Sequence, residues 1–174
     1  MKKTLMLSLL VGASLFGADY SSVIEKPNAS KMIKEDLLGP ATAYKMPAGC
    51  ITTDKDAIAR GAFIFHNLNG EKVKGNTPKG LAKTLENGQP KQYGNCVACH
   101  NIENAKGAGN IGPDLTSYKE NFMDTGVRDN AFVFQKIADP RIDNPETHMT
   151  VNLTTKLFSV KEICEITSYI VSKK

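Results

Sequence analysis

The chain has 174 residues, enough for one compact domain with a modest core plus extensions. A formal net charge of +4, without an arginine-rich run or aromatic-basic alternation, excludes a nucleic-acid partner. Trp is absent and aromatics are only 7%, so the core is short of large rings and leaves room that a bulky apolar cofactor could fill.

Lys2 and Lys3 precede the apolar run LMLSLLVGASLF, and the small residues Gly17 and Ala18 follow it. This pattern predicts a secretory signal peptide over residues 1–18, cleaved after Ala18. The run is shorter than the roughly 20 apolar residues that span a bilayer, so no membrane span is expected in the mature protein. Loss of the two lysines takes 22 basic residues to 20 against 18 acidic ones, near +2. The mature protein is expected in an oxidising compartment, and the bacterial look of the leader makes that the periplasm.

Residues 19–51 carry Pro27, Gly39, Pro40, Pro47 and Gly49. They read as an N-terminal arm with one short helical piece at 29–38. Residues 52–174 form the expected domain. Its first helix begins near Thr53 as N-cap, buries Ala57, Ile58, Gly61, Phe65 and Leu68 on one stripe, and ends at Asn69-Gly70. Gly61 costs helix stability, so its use is close approach of another helix.

Residues 69–95 form a long insert, rich in Gly, Pro, Asn and Lys, where Lys72, Lys74, Lys79, Lys83 and Lys91 outnumber Glu71 and Glu86. It reads as a solvated loop, with a partner-docking patch as the alternative. A second helix is predicted from about Arg128 to Ala138, with Ala131, Phe134 and Ile137 inward and Pro140 as its stop. The last helix opens with Ser159 and Glu162 at capping-box spacing, buries Ile163, Ile166 and Ile170, and ends in Lys173 and Lys174. No strand pattern and no internal repeat is present. The fold class is all-α with long loops.

The chemistry concentrates in GNCVACHNI, where Cys96 and Cys99 flank two small residues and His100 follows. A structural zinc site needs a second close ligand pair, and Cys50 and Cys164 lie far apart in sequence. A thioredoxin-like dithiol sits beside a βαβ unit, and this chain offers no strands. Covalent haem uses every residue of the motif: two thiols for thioethers and the histidine as proximal iron ligand. Downstream, GNIGPDL offers the Pro113 carbonyl as acceptor for the other ring N–H of His100, against a plain Gly-Pro turn. For a sixth ligand, Met149 sits in the stiffened loop DPRIDNPETHMTVN. His148 is the rival, Met123 reads as core filler, and His66 as a surface or packing residue.

The order of RGAFIF, YGNCVACH, GNIGPDL, IADPRIDNPETHM and LFSVKEICEITSYI resembles the class I c-type cytochromes over roughly residues 56–172. Within them it is most similar to the SoxX family of sulfur-oxidation subunits. The resemblance implies three to five helices around one covalently bound haem c, with Gly61, Phe65 and Tyr169 at the crossing of the first and last helices. It also implies haem attachment at Cys96 and Cys99 with His100 and Met149 as axial ligands. Here Thr150 follows the methionine, where such families usually have proline, and the lysine-rich insert is longer than usual.

The implied role is electron transfer, with no catalytic residue in this chain. A SoxX-like subunit pairs with a SoxA-like cytochrome, which carries the reactive haem, in L-cysteine S-thiosulfotransferase. That complex oxidatively couples thiosulfate to a cysteine of the SoxYZ carrier, and the electrons pass to a diffusible cytochrome. A free-standing periplasmic shuttle and a gas-binding haem sensor are the alternatives. Cys50 and Cys164 are left for one disulfide or for two free thiols. Arg141 is open to a haem propionate or to solvent.

Overall fold

The computed structural model describes residues 38–172, so the expected signal peptide, all but the last residue of the expected helix at 29–38, and Lys173 and Lys174 lie outside the described residues. Regular structure is helical with almost no strand. Among the described residues three α-helices are present: α1 is Lys55–His66, α2 is Asn130–Ala138 and α3 is Val160–Val171. Short turns of tighter or wider helix at Cys96–Ala98, Lys119–Met123 and Pro140–Ile142 lie between them. Among the described residues, no helix is long and apolar enough to cross a membrane.

The start of α1 is set by Asp54 rather than Thr53. Its carboxylate accepts the backbone N–H of Ala57 at 2.7 Å, satisfying a donor that the first turn leaves open. At the other end, Asn67 stops the helix: both its backbone N–H and its side-chain amide donate to the Phe63 carbonyl. The chain therefore leaves the helical path before Leu68, which is 47% exposed rather than inward. Ala57, Gly61, Ile64 and Phe65 form the buried face.

Helix α3 carries the expected capping box, with Ser159 Oγ accepting the Glu162 N–H and Glu162 accepting the Ser159 N–H. Every residue from Ile163 to Val171 is buried, so this helix is the central element. Its longest contact is with α1, at Gly61. A Cβ built on Gly61 would lie 2.0 Å from the Glu165 carbonyl oxygen and 2.9 Å from the Ile166 nitrogen. Only a residue without a side chain lets the backbones approach so closely. One turn further on, Phe65 meets Tyr169 edge-on, with ring centroids 5.7 Å apart. His66 Nε2 lies 2.7 Å from the Tyr169 hydroxyl, so it belongs to the helix pair rather than to open surface.

Helix α2 starts where the Asp129 carboxylate accepts the Phe132 N–H at 2.7 Å. Val133, Phe134, Ile137 and Ala138 are buried. Ala131 is exposed, contrary to expectation, because it sits in the first turn at the margin of that stripe.

The stretch from Leu38 to Ile51 joins the same compact unit as the helices. A disulfide links Cys50 to Cys164 of α3, and the Thr52 N–H donates to Ser168 Oγ at 3.1 Å. Further back, the Tyr44 N–H donates to Gln135 Oε1 and the Thr42 N–H to Asp139 Oδ2. The insert is a set of turns with two isolated antiparallel bridges, Asn69 with Gln92 and Thr84 with Pro90. Leu81 and Tyr93 bury into the core and tether it, while Lys72, Lys74 and Lys79 are exposed. Lys91 is spent on Glu162 at 2.7 Å.

Candidate cofactor-attachment site

The segment leading into the motif hangs from the end of α1. Tyr93, Gly94 and Asn95 donate their backbone N–H groups to the carbonyls of Leu68, Ile64 and Asn67. Asn95 then adopts a left-handed conformation, φ 45°, which asparagine tolerates better than most residues. That reversal starts the single tight turn Cys96–Ala98, in which the Cys96 carbonyl accepts from both Cys99 and His100. Val97 points inward and anchors the turn.

The loop after the motif folds back onto it. Gly109 donates to the Val97 carbonyl at 2.8 Å and Gly112 to the Cys99 carbonyl at 2.9 Å. Gly112 lies against the imidazole of His100: a Cβ there would be 2.4 Å from Cε1 and 2.8 Å from Nε2. His100 is 8% exposed, and its Nδ1 lies 2.8 Å from the Pro113 carbonyl oxygen. A carbonyl only accepts, so Nδ1 carries the proton and Nε2 is the basic nitrogen of the neutral ring. Asn101 and Asp114 brace the same loop through an amide-carboxylate bond of 2.9 Å. Hydrogen bonds from Asn101 and then Thr116 hold the Asp114 carboxyl below its usual range.

Cys96 and Cys99 are free thiols, and the other two cysteines are joined to each other. Burial, with a smaller contribution from Cys99, pushes the Cys96 thiol up to about 12. A redox-active dithiol depends on a thiolate whose pKa is lowered. Cys96 is shifted the other way. Among the described residues, no group of three or more His, Cys, Asp or Glu side chains is arranged to hold a metal ion. The donor groups of the motif are two unpaired thiols and one imidazole with an oriented tautomer, a set compatible with a covalently bound haem.

A partly open cleft of about 810 Å³, within the size range of small-molecule and cofactor sites, lies at the start of α3, and none of Cys96, Cys99, His100 or Met149 lines it. Val151, Leu153, Leu157 and Phe158 give it an apolar wall, and Leu85, Lys91 and Gln92 of the insert close one side. Phe158 ties this cleft to the motif, because a Cβ on Gly94 would touch both the Cys96 sulfur and the Phe158 ring. Sequence reasoning passed over Phe158: a lone aromatic before a helix cap carries no local signal.

Met149 is half-buried, with its N–H donating to Thr147 Oγ1, while His148 is exposed. The two residues after Met149, Thr150 and Val151, line the cleft. Met123 is partly buried against the core. Arg141 is not left to solvent. Its guanidinium pairs with Asp139 through Nε at 2.9 Å and Nη2 at 2.8 Å, and donates to the Gly39 carbonyl. A fully buried aspartate outcompetes solvent for it. No family model matches this chain, and no curated protein matches it significantly.

Proposed function

We propose that this chain is a periplasmic monohaem c-type cytochrome of the class I fold, acting as the electron-accepting, SoxX-like subunit beside a SoxA-like cytochrome. The observation that carries the reading is the fixed imidazole. His100 Nδ1 is committed to the Pro113 carbonyl at 2.8 Å, beside two unbonded thiols in one tight turn. When bound, the haem supplies a one-electron couple between ferric and ferrous iron.

The chain's residues supply everything else. Cys96 and Cys99 would hold the porphyrin as thioethers. His100 would hold the iron, its ring oriented by the Pro113 carbonyl and packed against Gly112. Met149 would supply a thioether ligand, which would favour the ferrous state and so suit an electron acceptor. The apolar side chains of Val151, Leu153, Leu157 and Phe158 would offer the macrocycle a dry wall. The Cys50–Cys164 disulfide supports an oxidising compartment.

Attachment is tested by denaturing electrophoresis with haem staining of protein made alongside a c-type maturation system. The stain should stay with the polypeptide, and haem released by acidified acetone would refute the assignment. The partner is tested by co-expression with neighbouring genes. The chain should purify with a second c-type cytochrome in equal amount. A chain that stays alone has lost the SoxX-like role and keeps only that of a free-standing shuttle. Carbon monoxide uptake by the ferrous protein would favour the gas-binding reading instead.

A further inference from the structure

We infer that Asn152 is the positioning residue for the Met149 loop and that the Thr150 hydroxyl is its link to the methionine. The inference rests on Met149 as an iron ligand. It is carried by the hydrogen bonds of one buried amide.

Asn152 is 5% exposed and engages its polar groups in both directions along the chain. Toward α2, its Nδ2 donates to the Ile137 carbonyl at 2.7 Å and its backbone N–H to the Ala138 carbonyl at 3.1 Å. Leu153 N–H shares the Ala138 carbonyl at 3.0 Å. These carbonyls belong to the last turn of α2, which has no partners within its own helix. Asn152 therefore caps α2 and takes its position from it. Toward the methionine, Asn152 Oδ1 accepts the Thr150 hydroxyl at 2.9 Å. Toward α3, its carbonyl accepts the Phe158 N–H at 3.3 Å, fixing a residue that lines the cleft.

Met149 thus stands between two hydroxyl bridges. Its own N–H donates to Thr147 Oγ1 on one side, and its neighbour Thr150 reaches Asn152 on the other. Behind Asn152 stands a second brace, where Thr154 Oγ1 bonds both Asp139 Oδ2 and the Tyr44 hydroxyl. A flexible loop delivers a ligand only a fraction of the time. A loop stapled to a helix end presents it in one place.

The test uses haem-loaded protein and the variants Thr150→Val, Thr150→Ser and Asn152→Leu. Two quantities are read: the far-red sulfur-to-iron absorption of the oxidised protein, and amide hydrogen exchange over residues 147–153. In denaturant too dilute to unfold the helices, Thr150→Val should raise the ligand-off fraction and the local exchange by about fivefold, the worth of one hydrogen bond. Thr150→Ser, which keeps the hydroxyl, should match the wild type. Asn152→Leu should lose the band outright. Should that variant not fold, the threonine pair still decides, because Thr150 is exposed. A wild-type band left unchanged by Thr150→Val, with unchanged exchange, overturns the inference. A wild type lacking the band refutes Met149 as ligand and the positioning role with it, a failure distinguishable from the first.

Discussion

Replacing Gly61 with alanine sets two effects of opposite sign against each other. On helix propensity alone the substitution stabilises α1 by about 1 kcal/mol. Against that stands the crossing. The new methyl would sit 2.0 Å from the Glu165 carbonyl oxygen and 2.4 Å from its carbon, both rigid backbone atoms of α3. Neither can swing aside, so the helices must separate by about 1 Å, at an overpacking cost of roughly 3 kcal/mol, the upper part of the usual range. The net expectation is a loss of about 2 kcal/mol, a fall in Tm of roughly 4–8 °C for a domain of this size. Thermal unfolding followed by far-ultraviolet circular dichroism measures it, with Ala59→Gly on the exposed face of α1 as the propensity control. A Gly61→Ala protein as stable as the wild type, or more so, would show that the crossing does not constrain this position. The site should feel the same change, because the carbonyl of Ile64 in α1 and those of Asn67 and Leu68 just beyond it hold the segment that enters the motif.

Gly112→Ala should leave haem covalently attached yet disturb the His100 ligation bands, since the new Cβ would press within 2.4 Å of the ring; an unaltered absorption spectrum would contradict this. Removing the disulfide with Cys50→Ala and Cys164→Ala should cost about 2–4 kcal/mol in denaturant unfolding, because the bridge closes a loop of 114 residues. Asp139 gives a pH signature. Hydrogen bonds from Arg141 outweigh the cost of burial and, with those from Thr42, lower its carboxyl from 3.8 to about 2. A depressed folded-state pKa stabilises fully above the unfolded value, so this contribution should drain away as pH falls from about 4 to about 2. Asp139→Asn should be less stable at neutral pH and lack that part of the acid slope; a parallel acid profile in the variant would count against it.

What was legible in the sequence was local. Ser159 and Glu162 announce the start of α3 because a capping box lies within four consecutive residues. Gly61 announces a close crossing because nothing else explains glycine on a buried stripe. The errors arose where a side chain acted out of turn. Asn67 ends α1 early through a bond that propensity does not register, and Asp54 rather than Thr53 caps it because its carboxylate reaches Ala57. The invisible part was non-local. Arg141 meets Asp139 two residues away, but it finds the Gly39 carbonyl only once the chain from Leu38 lies beside it. Cys50 finds Cys164 only once their Cα atoms stand 4.9 Å apart. At the site, Cys96, Cys99 and His100 are neighbours in sequence, whereas Phe158 and Asn152 gain their meaning from the fold.

The four cysteines pose a sorting problem during biogenesis. A single disulfide among them can form in six ways, and the native one joins the first to emerge with the last while leaving the middle two unjoined. When Cys96 and Cys99 leave the synthesis or export machinery, Cys50 is exposed and Cys164 has not yet arrived. Random oxidation at that moment joins the wrong sulfurs, either within the motif or between it and Cys50. Correct maturation is therefore a race between arrival of the C-terminal helix and the ambient oxidant. Oxidative capture is the hazard, and a reductant acting on the motif is the remedy.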